Sequence, residues 1–193
     1  IFSTDIAIIR NCNADAVLAV YPFTPQQIIA DAIVSSSSLP VFCGVGGGTT
    51  TGPRVVMLAK DAEALGAMGV VVNAPTTNSV IEHIYEVIDI PIIVTVLNEN
   101  NDIEGRIASG ASILNVSAAA RTPHVVREIR KKFPDIPIIA TGGPTNESIR
   151  ETIEAGANAI SFSSPTAVDL FHGLMSRYRS EHEEQQRSQT EQQ

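Results

Sequence analysis

The stretch FCGVGGGTTTG, residues 42–52, places glycines and threonines directly after a short apolar run. Glycine-rich loops can cradle phosphates through backbone amides. This one fails the dinucleotide pattern GxGxxG, because Thr49 stands where the third glycine belongs, and it lacks the lysine of a Walker loop. It reads either as a ligand loop, with Gly46, Gly47 and Thr49 contacting substrate, or as a structural turn from strand to helix. Arg54, just beyond, is either the cation of such a loop or an outward helix residue. A second pair of segments is IIATGGPTNES (138–148) and ISFSSPTA (160–167). Here Thr141, Gly142 and Gly143 offer free amides before a helix, and Ser163 and Ser164 precede a helix that Pro165 can start. Amides at a helix N-terminus hold an anion without side-chain charge. The pair is therefore expected to bind phosphate; the alternative is that its glycines serve only tight turns.

Proton chemistry needs a titratable group within reach of the proton. Glu99, Asp102 and Glu104, in NENNDIEG, are the nearest candidates, although the same segment also reads as a solvated polar loop. Asn115 and Ser117, in ILNVSAAA, join Asn73 and Thr95 at strand ends, where they can hydrogen-bond a carbonyl or enolate oxygen. His124 opens a helix beside Arg121 and suits an exposed face better than catalysis. His83 is structural, and His172 and His182 belong to the last helix and its tail. No cluster of His or carboxylates sits on strand ends, so neither a metal nor another cofactor is expected.

These residues have to be held by something, and the hydrophobic pattern says what. Apolar runs recur at 17–21, 41–45, 70–73, 90–97, 113–116, 136–140 and 159–162. Helical patterns with one polar face separate most of them, among them TPQQIIADAIV, PRVVMLAKDAEALGAM and TPHVVREIRKKF. Nearly continuous apolar strands joined by helices make a parallel sheet covered by helices. The runs alternate between two kinds. One opens with Pro (LPVFCGV, IPIIVTV, IPIIATG); the other opens with Gly-Ala or a variant (NADAVLAVY, GAMGVVVNA, GASILNVSA, GANAISFSS). Gly110 and Gly156 sit where a helix must end in a left-handed residue, and Asn13 fills the equivalent place. Four copies of the second kind against three of the first leave one Pro-type strand missing before Ala16. Residues 5–9 lie too close to the next strand for a crossover helix. Residues 4–11 are instead expected to end helix one, with strand one upstream of this chain or absent from it.

Four such double units make eight strands and eight helices, the TIM (β/α)8 barrel count. The alternative is an open doubly wound sheet, which reverses strand order midway. Residues 1–179 are expected to form the barrel, with Ile28, Ile29, Val56, Leu58, Ile84, Val125, Ile129 and Ile153 buried beneath its helices. Residues 180–193 contain no apolar side chain and should continue the last helix into solvent or be disordered. A chain of 193 residues suits one domain. Its net charge of −8 excludes the basic stripe of a nucleic-acid binder. Cys12 and Cys43 are too few for a disulfide framework and read as thiols in a reducing compartment. No apolar run reaches membrane-spanning length. A cytoplasmic protein without membrane or nucleic-acid contact is expected; a homo-oligomer is left open.

The segment PIIATGGPTNESIRETIEAGANAISFSS (137–164) resembles the phosphate-binding barrels: thiamine-phosphate synthase, the tryptophan-pathway barrels, N-acylmannosamine-phosphate epimerase and keto-deoxy-phosphogluconate aldolase. Gly142 and Gly143 match their glycine pair after strand seven, residues 155–157 their AGA, and Ser163 with Ser164 their strand-eight phosphate loop. Over residues 13–136 only the layout matches. The resemblance implies a lyase or isomerase acting on a small phosphorylated sugar or acid. The aldolases of this group carry a Schiff-base lysine at the end of a central strand. Here the only lysines, Lys60, Lys131 and Lys132, fall on helices. Two rivals stand beside the enzyme. One is a non-catalytic phosphate-ligand sensor, similar to the glycerol-phosphate-responsive antiterminators. The other is a barrel kept as an interaction module.

Overall fold

The computed structural model describes residues 4–20, 24–163 and 167–190. Two compact units divide it. The larger, Cys12–Phe162, holds every strand of the sheet. In it β1 (Val17–Ala19), β2 (Val41–Gly46), β3 (Gly69–Val72), β4 (Ile92–Val96), β5 (Ile113–Val116), β6 (Ile138–Thr141) and β7 (Ala159–Ser161) alternate with helices. These helices are α2 (Gln27–Ser36), α3 (Pro53–Ala64), α4 (Asn78–Tyr85), α5 (Ile103–Ala108), α6 (Thr122–Lys132) and α7 (Asn146–Glu154). The other unit holds α1 (Thr4–Asn11) and α8 (Ala167–Thr190). Residues 4–11 are thus helix rather than strand, as their alignment with later helix ends predicts.

All neighbouring strands are parallel, and their order in the sheet is their order in the chain. No reversal occurs, so the doubly wound alternative is excluded and the pattern is that of an α/β barrel. The seven strands are the expected strands two to eight.

Alternation along each strand divides the side chains. Val41, Cys43, Val45, Val70, Val72, Ile92 and Val94 cluster with Val55 and Ala59 of α3 and Ile81 and Ile84 of α4. Val96, Leu114, Val116, Ile138 and Ala140 cluster with Ile103 of α5 and Val125, Val126 and Ile129 of α6. Each fully enclosed isoleucine or valine contributes roughly 1.5–3 kcal/mol against an exposed one. Burial raises the pKa of the Cys43 thiol, which is only 1 % exposed. Cys12 is half-buried.

Of the expected helix-core residues, Ile84, Val125 and Ile129 are buried, and Val56 and Leu58 pack partly against the core. Ile29 is only half-buried and joins neither core cluster. Ile28 and Ile153 depart further. Ile28 is 71 % exposed because α2 turns no residue fully inward. Ile153 is 53 % exposed because α7 seats Thr152 instead, its hydroxyl donating to the Ser148 carbonyl.

Gly110 and Gly156 take φ of 110° and 108° at helix ends, as expected. Asn13 does not: among the described residues the only non-glycine with positive φ is Ala119. Arg130 on α6 is a fastening that no motif announces. Its guanidinium donates to the carbonyls of Pro134 (2.6 Å), Ile136 (2.8 Å) and Gly156 (2.8 Å) and to Asn158 Oδ1 (2.8 Å). It thereby joins α6 to the approaches of β6 and β7.

Candidate functional site

In such barrels the working groups lie at the carboxyl ends of the strands, on the face turned away from the helices. Thr95 of β4 and Asn115 of β5 are direct partners across the sheet, and Asn115 Nδ2 donates to Thr95 Oγ1 at 3.3 Å. Their neighbours Val94, Val96, Leu114 and Val116 pack with the helices, so this pair shares the opposite face. Val72 pairs with Val94, which puts Asn73 next along the same row. The row continues through Ile139 of β6, which opposes Asn115, to Ala159 of β7. One level higher, Thr141 pairs with Ser161, and Ser117 follows β5 at that level. Asn73, Thr95, Asn115, Ser117 and Thr141 are all half-buried. The outer oxygen of the Asn115 carboxamide is enclosed without a hydrogen-bond partner. Leaving such a group unpaired is costly, so it marks a place where a ligand or water is wanted.

The glycine-rich loop after β2 carries packing. The Asn73 amide donates to the Gly46 carbonyl (2.9 Å), and the Gly47 amide to the Thr50 carbonyl (2.8 Å). Gly47 has φ 98°, and a Cβ there would lie 2.0 Å from Thr76 Oγ1. Gly46 and Gly47 are therefore the surfaces through which this loop meets the β3–α4 loop. Thr49 is exposed and Thr50 buried. Arg54 lies on the exposed side of α3. On the far side of the β3–α4 loop, Arg106 of α5 donates to the carbonyls of Thr76 and Ala74. Burial lowers the Arg106 pKa, and the Asp102 charge opposes that shift.

The loop after β4 divides its work sharply. Asn101 Oδ1 accepts from the Leu97 and Asn98 amides, and Asn98 Oδ1 from the Asn100 amide. Asp102 caps α5 through Gly105 and accepts from Asn78 Nδ2 at 2.8 Å. Asp102 is thus a structural cap, and Glu104 is exposed in the first turn of α5. Glu99 has no such duty. Its Oε1 meets Arg121 Nη2 at 2.5 Å and lies 3.7 Å from His124 Nε2, and its Oε2 is enclosed without a partner. The Glu99 pKa is lowered. The first cause is its own backbone amide, which polarises the carboxylate although Oε2 closes no hydrogen bond; burial opposes this, and Arg121 and His124 add to the lowering. Arg121 follows the turn after β5, where Ala119 takes φ 49°. Backbone strain of this kind gathers at sites with a task.

The expected phosphate loop is less open than its sequence suggests. The Gly142 amide is not free: it donates to the Ser161 carbonyl at 2.8 Å, continuing the sheet. A capping box between Thr145 and Ser148 occupies two more amides, and Gly143 packs tightly against Ser148. Of the two serines, Ser163 is exposed and belongs to the other compact unit, and Ser164 lies outside the described residues. Sequence reasoning missed Arg121 as the partner of Glu99, and Thr76 and Arg106 altogether. The one available signal was the position of Arg121 shortly after a polar strand end.

No family model and no curated protein matches this chain. Solved structures do. A Burkholderia cenocepacia protein described as a phosphonomutase is 15 % identical, with 91 % of this chain and 98 % of that one covered at a TM-score of 0.65. The aldolase QR15 is 19 % identical, covering 84 % and 80 %, at 0.62. The N-acetylneuraminate lyase of Mycoplasma synoviae is 12 % identical, with 81 % of this chain but 59 % of the lyase covered, at 0.63. The fold is that of the TIM barrels. Among the described residues no helix is long and apolar enough to cross a membrane, and no group of His, Cys, Asp and Glu could hold a metal ion.

Proposed function

We propose that this chain is a lyase or isomerase acting on a small phosphorylated sugar or acid. The observation that carries the reading is the Asn115–Thr95 pair. Asn115 Nδ2 gives one of its two N–H groups to Thr95, its Oδ1 is enclosed without a donor, and Asn73 and Ser117 stand at neighbouring strand ends. The second Nδ2 N–H suits an oxygen that gains negative charge as a carbonyl becomes an enolate, and Oδ1 suits a substrate hydroxyl. Glu99 is the carboxylate left for the proton, since Asp102 is spent on capping. The phosphate anchor in this reading is the stretch from Thr141 to the start of α7. There Gly143 supplies an amide and Thr141 a hydroxyl. The fold is shared with the aldolase QR15 and with the N-acetylneuraminate lyase of Mycoplasma synoviae, which favours the same class. The described strand ends carry no lysine, so the reading uses no Schiff base.

A thermal-shift screen of phosphorylated metabolites, followed by product analysis with the best stabiliser, tests this. Asn115→Leu should abolish the ligand-induced shift while leaving the unliganded melting temperature equal or higher, because it removes an unsatisfied buried group. A binder that is never turned over would favour the sensor, which needs the anion site but no base. No stabilising ligand at all would remove both readings.

A further inference from the structure

Glu99 is hard to explain as part of the scaffold. Its loop is already shaped by Asn98 and Asn101 and closed by Asp102. An ordinary surface ion pair leaves its carboxylate in water, whereas this one turns an oxygen inward, where its own backbone amide polarises it but no hydrogen bond closes on Oε2. Two basic side chains from the β5–α6 turn and the first turn of α6 address its other oxygen, Arg121 in contact and His124 one short movement away. A separation of 3.7 Å is one water or a small side-chain rotation from a hydrogen bond, and catalytic contacts are often this loose before substrate arrives.

We propose that Glu99, Arg121 and His124 are one proton-handling unit, in which Arg121 positions the carboxylate and His124 passes its proton to and from solvent. This rests on the reading of Glu99 as the proton carrier. When a C–H bond next to the substrate carbonyl breaks, its electron pair stays on the substrate as an enolate held by the Asn115 amide. The proton forms an O–H bond on Glu99 Oε2; as the carboxyl turns toward His124, that O–H bond breaks while an N–H bond forms on His124 Nε2, and the proton then leaves from the imidazolium to water; protonation at another carbon runs the same steps backwards. His124 is 53 % exposed, which suits an exit station. The charged groups around it are Glu99 from the β4–α5 loop, Arg121 from the preceding turn, and Glu128 on its own helix, itself bound by Lys131 at 2.6 Å.

The test is hydrogen–deuterium exchange into dihydroxyacetone phosphate, ribulose 5-phosphate and pyruvate in D2O, followed by proton NMR. Glu99→Gln should stop exchange. His124→Gln should slow it at least about tenfold, and added imidazole should restore it, an effect that a structural histidine does not show. His124→Asn replaces it if Gln lowers the melting temperature. Carbon NMR of protein labelled at the glutamate carboxyls, with no substrate present, should show the Glu99 titration moving upward in Arg121→Gln. Exchange unchanged in the His124 variants, or no rescue by imidazole, overturns the relay alone. A Glu99 titration that ignores Arg121→Gln overturns the positioning role. A wild-type protein that exchanges none of the three probes overturns the enzyme reading, and the relay with it.

Discussion

At the residue scale, Glu99 links the fold to the proposed chemistry through its charge. Its carboxyl is held below the ordinary range, first by its own amide and then by Arg121 and His124. A folded-state pKa below the unfolded one means that ionised Glu99 stabilises the fold above the unfolded value, and that this is lost as pH falls through the folded value. The melting temperatures of wild type and Glu99→Gln should therefore differ most at neutral pH and converge as the solution is acidified through the carboxylate range. Curves that run parallel throughout would show that the ion pair adds nothing to the folded state. NENNDIEG shows why only part of this was legible. Three asparagines and three acids in a loop announce polarity, but their division into loop formers, cap and free carboxylate depends on which backbone amides each side chain meets. Asn98, Asn101 and Asp102 reach amides two to four positions away, a local habit of these residue types. Glu99 reaches Arg121 across 22 positions, a pairing that spacing cannot disclose.

Among the elements, the alternation of Pro-opened and Gly-Ala-opened strands was readable because it follows from how each strand is entered. The helix-ending glycines at 110 and 156 were readable for the same reason. Asn13 misled because tolerance of a left-handed conformation does not require it. Arg130 and Arg106 were opaque, since a guanidinium bound to distant carbonyls looks like any surface arginine until the loops are in place. The glycines of residues 42–52 separate by a simple experiment. Gly47→Ala adds a Cβ 2.0 Å from Thr76 Oγ1 in a backbone of φ 98°, against the loop that Arg106 holds from the other side. It should cost about 2–4 kcal/mol in urea unfolding, the range for overpacking combined with backbone strain. Gly52→Ala, with φ 63° and nothing within 4 Å of its added Cβ, should cost only ~1 kcal/mol. Equal losses would mean that close packing between the two loops is not what Gly47 provides.

For the molecule as a whole, sequential parallel strands were predictable from the count and regularity of apolar runs, and the sequential order from β1 to β7 agrees. Individual helix faces were less predictable. A helix laid on a barrel is seated by the curve beneath it, so Ile28 and Ile153 face water although each lies in an amphipathic pattern. The wall between β2 and α3 has one more use. Cys43 is sealed into it and Cys12 is half-covered, so the chain carries two thiols of unequal reach. A small alkylating reagent becomes a clock: Cys12 should react within minutes in native buffer, while Cys43 reacts only as often as β2 parts from its helix. Mass spectrometry of the labelled peptides would time that parting without any change to the protein. Should both thiols react together, the barrel wall opens as freely as its approach, and the larger unit is looser than its packing implies.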